Sequence, residues 1–217
     1  MTNLLFVITI SHQLGSGGAI LGQKMAERLD VPFFDREILR RVAQDLQMAE
    51  SALENREERL SSFWEKITRN AILLVDPATM LMADHIEPSD QELFDYECEA
   101  LGKIAEKSSG VFLGRCGFYT LSDYPRQVHI LVHADLAERV ERVRALFHLD
   151  EKTALKMIQT NDRTRAAYIY TFTHQNWLDA SLYDLTMNTS SLGMDKTLEF
   201  ALDCVEQKLA VLATQSA

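Results

Sequence analysis

A glycine-rich turn between an apolar run and a helical pattern, close to the start of the 217-residue chain, constrains the fold most. The stretch from Phe6 to Gly22 is FVITISHQLGSGGAILG. Its β-branched start is typical of a buried strand, and apolar residues recur at helical spacing after the turn. A strand, a glycine loop and a helix in this order bring backbone N–H groups and the positive end of a helix dipole to one point. The sequence therefore predicts a phosphate or nucleotide site, and the alternative is a tight turn that binds nothing.

The loop departs from the standard P-loop motif, G-x-x-x-x-G-K-[ST]. With Gly17 as the second glycine of that motif, the first falls on His12, the lysine on Gly18 and the Ser/Thr on Ala19. The glycine-rich backbone is kept. The lysine charge that binds the β/γ-phosphates and the hydroxyl that binds Mg²⁺ are missing.

Composition narrows the class of protein. Lys plus Arg number 22 against 32 Asp plus Glu, for a net charge of −10, which argues against nucleic acid as the main partner. No apolar run is long enough to span a membrane, the first six residues lack a basic signal-peptide region, and the three cysteines have no metal-type spacing. We therefore expect a cytoplasmic protein with reduced thiols and no membrane partner.

Five apolar segments alternate with helical patterns and predict strands at about 5–10, 31–34, 110–113, 128–133 and 183–187. This alternation predicts an α/β fold: a parallel five-stranded sheet with helices on both faces. Such sheets bind ligands at the carboxyl ends of their strands, where the glycine loop, Asp35 and Arg115 all fall. The alternatives are an N-cap role for Asp35, ahead of a helix predicted over 36–46, and a surface ion pair for Arg115.

The two helices predicted after the fourth strand carry several arginines. Arg139 and Arg142 lie on the first, over 136–147, and Asp162 and Arg165 lie on the second, from residue 151 to about 170. Such residues usually form a solvated face with ion pairs along the helix. The alternative is a lid that brings arginines over a phosphoryl group.

The domain organisation follows from these patterns. We expect one domain, with a core of about 1–47 and 93–217, a helical insertion at about 48–92 and a lid at about 148–180. Apolar residues such as Phe63 and Trp64 recur at helical spacing in the insertion, which makes it a candidate homodimer contact.

The chain resembles the cytidylate kinase-like family, a branch of the P-loop nucleoside monophosphate kinases. The matching stretches, which leave 48–92 aside, are ITISHQLGSGG, VPFFDREIL, VFLGRCGFYTL, ILVHADLAERVERV, NDRTRAAYIYTF and YDLTMNTSSLG. The resemblance implies a three-layer kinase fold with a helical lid. It also implies transfer of a phosphoryl group from ATP, with Mg²⁺, to CMP, dCMP or a related acceptor, so that the partners are small nucleotides.

The resemblance also implies roles by position. The donor nucleotide is expected at His12, Gly15, Ser16, Gly17, Gly18, Thr189 and Ser190. The acceptor is expected at Asp35, Arg115, Asp162 and Arg165, with Asp162 binding the cytosine amino group and Arg165 the acceptor phosphate. The arginines expected to stabilise the transferring group are Arg139, Arg142 and Arg165.

The donor side nevertheless lacks charge. Relatives often show S-R-E-x-G-S-G-G, where this chain has His12 and Gln13, and they commonly carry a basic residue just before the position of Asp162. Each lost transition-state donor costs roughly 3 kcal/mol. Three hypotheses follow: an active kinase, a sensor that binds a nucleotide or another phosphate without transfer, and an interaction protein that keeps only the fold.

Overall fold

A parallel five-stranded sheet forms the centre of the computed structural model, which describes residues 5–35, 91–114 and 116–215. The strand order is β2-β3-β1-β4-β5, and every neighbouring pair is parallel. The strands are β1 (Val7–His12), β2 (Phe33–Phe34), β3 (Gly110–Leu113), β4 (Gln127–His133) and β5 (Leu185–Asn188). The predicted fold class is confirmed.

Helices cover both faces of the sheet. They are α1 (Gly18–Leu29), α2 (Gln91–Ala105), α3 (Gly117–Thr120), α4 (Leu136–Phe147), α5 (Glu151–Thr173), α6 (Thr189–Leu192) and α7 (Met194–Gln215). A 3₁₀ turn at Ala180–Leu182 precedes β5. Among these residues, no helix has the length and apolarity needed to cross a membrane.

Local predictions hold best where a helix has a clear boundary signal. The apolar spacing after the glycine loop predicts a helix over 18–29, and the bounds of α1 agree with it, as those of α4 agree with the predicted 136–147. The first strand extends beyond the predicted residue 10, because Ser11 and His12 still pair with β4. The sequence Asn188-Thr189-Ser190 predicts a turn after the last strand, and this prediction is wrong. Helix α6 begins at Thr189, and Asn188 caps it by accepting a hydrogen bond from the Ser190 N–H.

The core lies on both faces of the sheet. On one face, side chains of β1 and β4 pack against α1 and α7; this cluster includes Ile8, Ile130, Met25 and Ala201. On the other face, two clusters pack beneath α2, α3 and α5. A fourth cluster joins Leu14 of the glycine loop to α4 and α5. The loop is therefore anchored to the two arginine-bearing helices by apolar packing.

Some predictions concern residues outside those that the structure describes. They are the helix over 36–46, the insertion up to residue 90, and Arg115.

Candidate functional site: the glycine loop

The loop between β1 and α1 needs glycine at two positions. Gly15 and Gly17 have φ angles of 80° and 82°, in the left-handed region that other residues rarely adopt. A Cβ on Gly15 would lie 2.8 Å from the carbonyl oxygen of Arg139. The Ser16 N–H donates to the Gln13 carbonyl at 3.1 Å and closes the turn. The backbone path therefore dictates the glycines of this stretch.

Several donors of the loop have no acceptor among the described residues. They are the amide N–H groups of Leu14, Gly15, Gly17, Gly18, Ala19 and Ile20. The hydroxyl of Ser16 also lacks a partner there, although this residue is 0% exposed. Buried polar groups are normally hydrogen-bonded, so a set of free donors at a helix N-terminus indicates an anion site.

Two arginines of α4 hold the same loop by its carbonyl oxygens. Arg139 Nε donates to Leu14 O at 2.7 Å. Arg142 Nη1 donates to Gly15 O at 3.3 Å and to Ser16 O at 3.1 Å. In a trans peptide group the C=O and N–H point in opposite directions. Carbonyls turned toward α4 therefore turn the amides of Gly15 and Gly17 away from it.

Arg139 also binds Asp162 across the interface between α4 and α5. Its Nη2 lies 2.6 Å from Asp162 Oδ2, and the two side chains are 5% and 25% exposed. The other carboxylate oxygen, Oδ1, is buried and has no hydrogen-bond partner within the described part of the chain. The structure thus places Asp162 against an arginine. The expected contact between Asp162 and a cytosine amino group stays a prediction.

Thr189 and Arg142 form a second junction at the loop. The Thr189 hydroxyl donates to Ser16 O at 2.7 Å and accepts from Arg142 Nη1 at 2.8 Å. Arg142 Nη2 pairs with Glu138 at 2.6 Å. The Oγ of the neighbouring Ser190 accepts a hydrogen bond from the Asp135 N–H at 2.9 Å. Thr189 is thus part of the loop support.

Arg165 approaches the loop from α5. Its Nη1 donates to the carbonyl oxygen of His12. Its guanidinium carbon lies 5.4 Å from the ring centroid of Trp177, within the range of a cation–π contact. Asp35 is half-buried and directly follows β2 at the same edge of the sheet. The structure therefore brings His12 and Arg165 together, and Asp35 lies at the edge where an acceptor was expected.

Sequence reasoning missed two features of this site. The Arg139–Asp162 pair joins residues 23 apart on different helices, and no sequence signal identifies it. Trp177 could have been noticed in the sequence as a tryptophan within the polar stretch TFTHQNWLDASL. In the structure it is buried.

A buried histidine lies on the sheet behind the site. Nδ1 of His129 is 2.7 Å from the Thr9 hydroxyl, and its backbone N–H donates to Asp184 at 2.7 Å. Burial lowers the pKa of His129 to about 4, against a smaller opposing effect of Asp184. The imidazole is therefore neutral near pH 7. Among the described residues, no group of three or more His, Cys, Asp or Glu side chains could hold a metal ion.

Solved structures support this fold. An uncharacterised protein from Eubacterium ventriosum is 23% identical, with 93% of this chain and 98% of that chain covered and a TM-score of 0.70. A gluconokinase from Sinorhizobium meliloti is 13% identical, with 98% of each chain covered and a TM-score of 0.58. A shikimate kinase from Bacteroides thetaiotaomicron is 14% identical, with 94% and 99% covered and a TM-score of 0.50. At these identities the likeness concerns the fold alone.

Sequence comparison identifies the family. No functionally curated protein matches the chain at a significant level. A family model described as "Cytidylate kinase-like family" matches residues 7–191, which include the glycine loop, both arginine-bearing helices and Thr189. The chain therefore belongs to the cytidylate kinase-like family.

Proposed function

We propose that this protein binds the phosphates of ATP at the glycine loop and transfers a phosphoryl group to CMP, dCMP or a related acceptor. The observation that carries the proposal is the set of loop amides that have no acceptor among the described residues, two of which, those of Gly15 and Gly17, are turned away from the arginines of α4. Membership of a kinase-like family supports the reaction class. The identity of the acceptor is suggested only by the family resemblance, so it is the part of the proposal to test first.

The residues of the loop fit a phosphate better than they fit a protein-held metal. The loop amides and the Ser16 hydroxyl, for which the described residues offer no hydrogen-bond partner, suit phosphate oxygens. Ala19 offers no hydroxyl where the standard motif binds Mg²⁺. We therefore expect Mg²⁺ to arrive with the nucleotide as part of the substrate, where it would neutralise phosphate charge.

The chain's own contribution to transfer would be positioning and electrostatics. Phosphoryl transfer needs little covalent help, but it needs fixed geometry and positive charge near the transferring group. The loop amides and the N-terminus of α1 would bind the donor phosphates. Arg165 and Asp35 are the residues we expect on the acceptor side. In this proposal, an acceptor phosphate replaces the His12 carbonyl as the partner of Arg165.

A second candidate function is nucleotide binding without transfer. The absence of a lysine at Gly18 favours it, as does the engagement of Arg139 with Leu14 and Asp162. Loss of one preorganised donor typically lowers the rate by about 10²–10³. A protein that lacks two such donors can keep its ligand and lose useful turnover.

Thermal unfolding with nucleotides tests both candidates. A ligand at 100 times its Kd stabilises the folded state by about 2.7 kcal/mol, and the probes are ATP, CMP, dCMP and UMP, each with and without Mg²⁺. Gly17→Asp places a carboxylate among the loop amides and should abolish the ATP shift. Gly193→Asp is the matched control, because Gly193 also has a positive φ and a Cβ there meets nothing within 4 Å.

The outcomes separate the candidates. An ATP shift that Gly17→Asp removes, together with ADP formation that depends on CMP or dCMP, is expected from the kinase. The same shift without ADP formation for any acceptor identifies the second candidate. If ATP shifts neither the wild type nor the control, nucleotide binding at this loop is refuted.

A further inference from the structure

Positions 12 and 18 compete for one space in the loop. A Cβ built on Gly18 would lie 2.3 Å from the Cβ and 2.8 Å from the Cγ of His12. Cβ atoms do not approach other atoms so closely, and the His12 Cβ is fixed to the backbone of β1. His12 is 7% exposed, so its side chain has little room to move aside. Only one of the two positions can carry a side chain in this backbone.

The standard motif and this chain use that space in opposite ways. In G-x-x-x-x-G-K-[ST] the first position is glycine and the seventh is lysine. Here the first position is His12 and the seventh is Gly18. The standard motif carries its side chain at the start of the helix, whereas this chain carries one at the end of the strand. The imidazole therefore fills the volume in which the lysine side chain would begin.

We propose that His12 takes the place of the P-loop lysine and that its protonated imidazole binds the phosphate held by the loop amides. This inference rests on the proposed function, because it requires an anion at the loop. It assigns to His12 the cationic contact that the sequence of the loop otherwise lacks. The ligand class is a nucleotide di- or triphosphate, bound more tightly at lower pH.

One ring nitrogen of His12 is held by the backbone. His12 Nδ1 lies 3.2 Å from the Gln13 carbonyl oxygen, to which only a protonated ring nitrogen can donate. With Nδ1–H committed to Gln13, the proton that makes the ring cationic is carried by Nε2. Ionisation therefore places the added proton on Nε2 and leaves the contact with Gln13 in place.

Charged groups around His12 couple its protonation to anion binding. Arg165 of α5 donates to its carbonyl, and Arg139, which is paired with Asp162, and Arg142 hold the next carbonyls from α4. On β4, His133 follows the register partner of His12, and α1 presents its positive N-terminus. Among the described residues, the arginines and the helix N-terminus oppose another positive charge at His12, and a bound phosphate favours it. Affinity should therefore fall as the pH rises and the imidazole loses its proton.

The first test measures the Kd of ATP at pH 6 and pH 8 for the wild type and for His12→Gln. The terminal phosphate of ATP ionises in the same range, but this effect is common to both proteins and cancels in their ratio. The affinity advantage of the wild type should shrink by about fivefold between pH 6 and pH 8 if the histidine pKa rises by about one unit on binding. Equal ratios at the two pH values would overturn the inference.

His148→Asn is the matched control for this comparison. His148 is exposed, caps α4 with a φ of 54° and lies in a conformation that asparagine tolerates. It should retain the pH dependence of the wild type. Loss of that dependence in the control would overturn the assignment to His12.

The second test needs no nucleotide. Gly18→Ala should lower the melting temperature, because its Cβ collides with His12. The double variant His12→Gly with Gly18→Lys should fold and bind ATP with an affinity that varies little between pH 6 and pH 8, since lysine stays charged. If His12→Gln does not fold, this double variant takes its place in the comparison of ATP affinities at pH 6 and pH 8. If Gly18→Ala is as stable as the wild type, positions 12 and 18 do not exclude each other's side chains, and the inference is overturned.

The two tests distinguish the failure of the inference from that of the proposed function. If ATP binds, but His12→Gln keeps the wild-type pH dependence, the inference alone fails. If ATP binds at neither pH although Gly18→Ala is destabilised, the proposed function fails and the phosphate role of His12 fails with it.

Discussion

Arg139→Ala should lower the free energy of unfolding by about 3 kcal/mol, because it leaves Asp162 of α5 unpaired at the interface with α4. Removing one partner of a buried ion pair costs about 3–5 kcal/mol, and the 25% exposure of Asp162 points to the lower end. The variant also removes the 2.7 Å hydrogen bond to Leu14 O. For a domain of this size, a loss of about 3 kcal/mol lowers the melting temperature by about 6–12 °C.

Urea unfolding is the assay, with a constant m-value as the check that only stability changes. Arg163→Ala is the matched control, because Arg163 is an exposed arginine on α5, and we expect a change within about 0.5 kcal/mol. In a double-mutant cycle, Arg139→Ala with Asp162→Leu should be more stable than Arg139→Ala alone, since no buried charge is left. If Arg139→Ala costs no more than Arg163→Ala, the pair does not support the loop.

Three further changes test other parts of the structure. Arg142→Ala should weaken ATP binding by about tenfold in isothermal titration calorimetry, because the Gly15 and Ser16 carbonyls lose hydrogen bonds worth about 1 kcal/mol each. The folded-state pKa of His129 is below its ordinary value, so the neutral ring stabilises the fold above pH 6.5. About 3 kcal/mol of the free energy of unfolding is lost as the pH falls from 6.5 toward 4. In urea unfolding, the stability of His129→Gln should therefore vary less with pH than that of the wild type. Gly17→Ala should cost about 1–2 kcal/mol in the same assay, because of its φ of 82°.

Each of these expectations has a result that contradicts it. Unchanged ATP affinity in Arg142→Ala would show that the loop keeps its shape without that arginine. Parallel pH profiles for the wild type and His129→Gln would assign the acid sensitivity to other groups. A fully stable Gly17→Ala protein would mean that the left-handed conformation is not required there.

The sequence predicted the sheet and the helices beside it because their signals are local. Helix α1 begins directly after Gly17, which has a positive φ, and is capped at its end by Asp30. Both boundaries therefore depend on residues next to the helix in the sequence. The turn expected at 188–190 was wrong for a related reason. Asn188 favours turns and helix N-caps equally well, and only the continuation as α6 distinguishes them.

The site could be predicted in position but less well in its contacts. The glycine loop and Thr189 fall together because parallel strands end at one edge of a sheet. The partner of a long arginine depends on the packing of two helices, which sequence spacing does not specify. Arg139 was therefore expected at a phosphoryl group, and in the structure it reaches Leu14 O and Asp162. Its phosphoryl role stays a prediction.

The close approach of positions 12 and 18 also bears on how such a loop can arise. Starting from the standard motif, a histidine at 12 would collide with the lysine at 18, and glycine at 18 alone would lose the cation. Starting from this chain, lysine at 18 would collide with His12. No single substitution joins the two loops without a less stable or less charged intermediate. On this backbone, the two solutions are therefore separated by a barrier in sequence space.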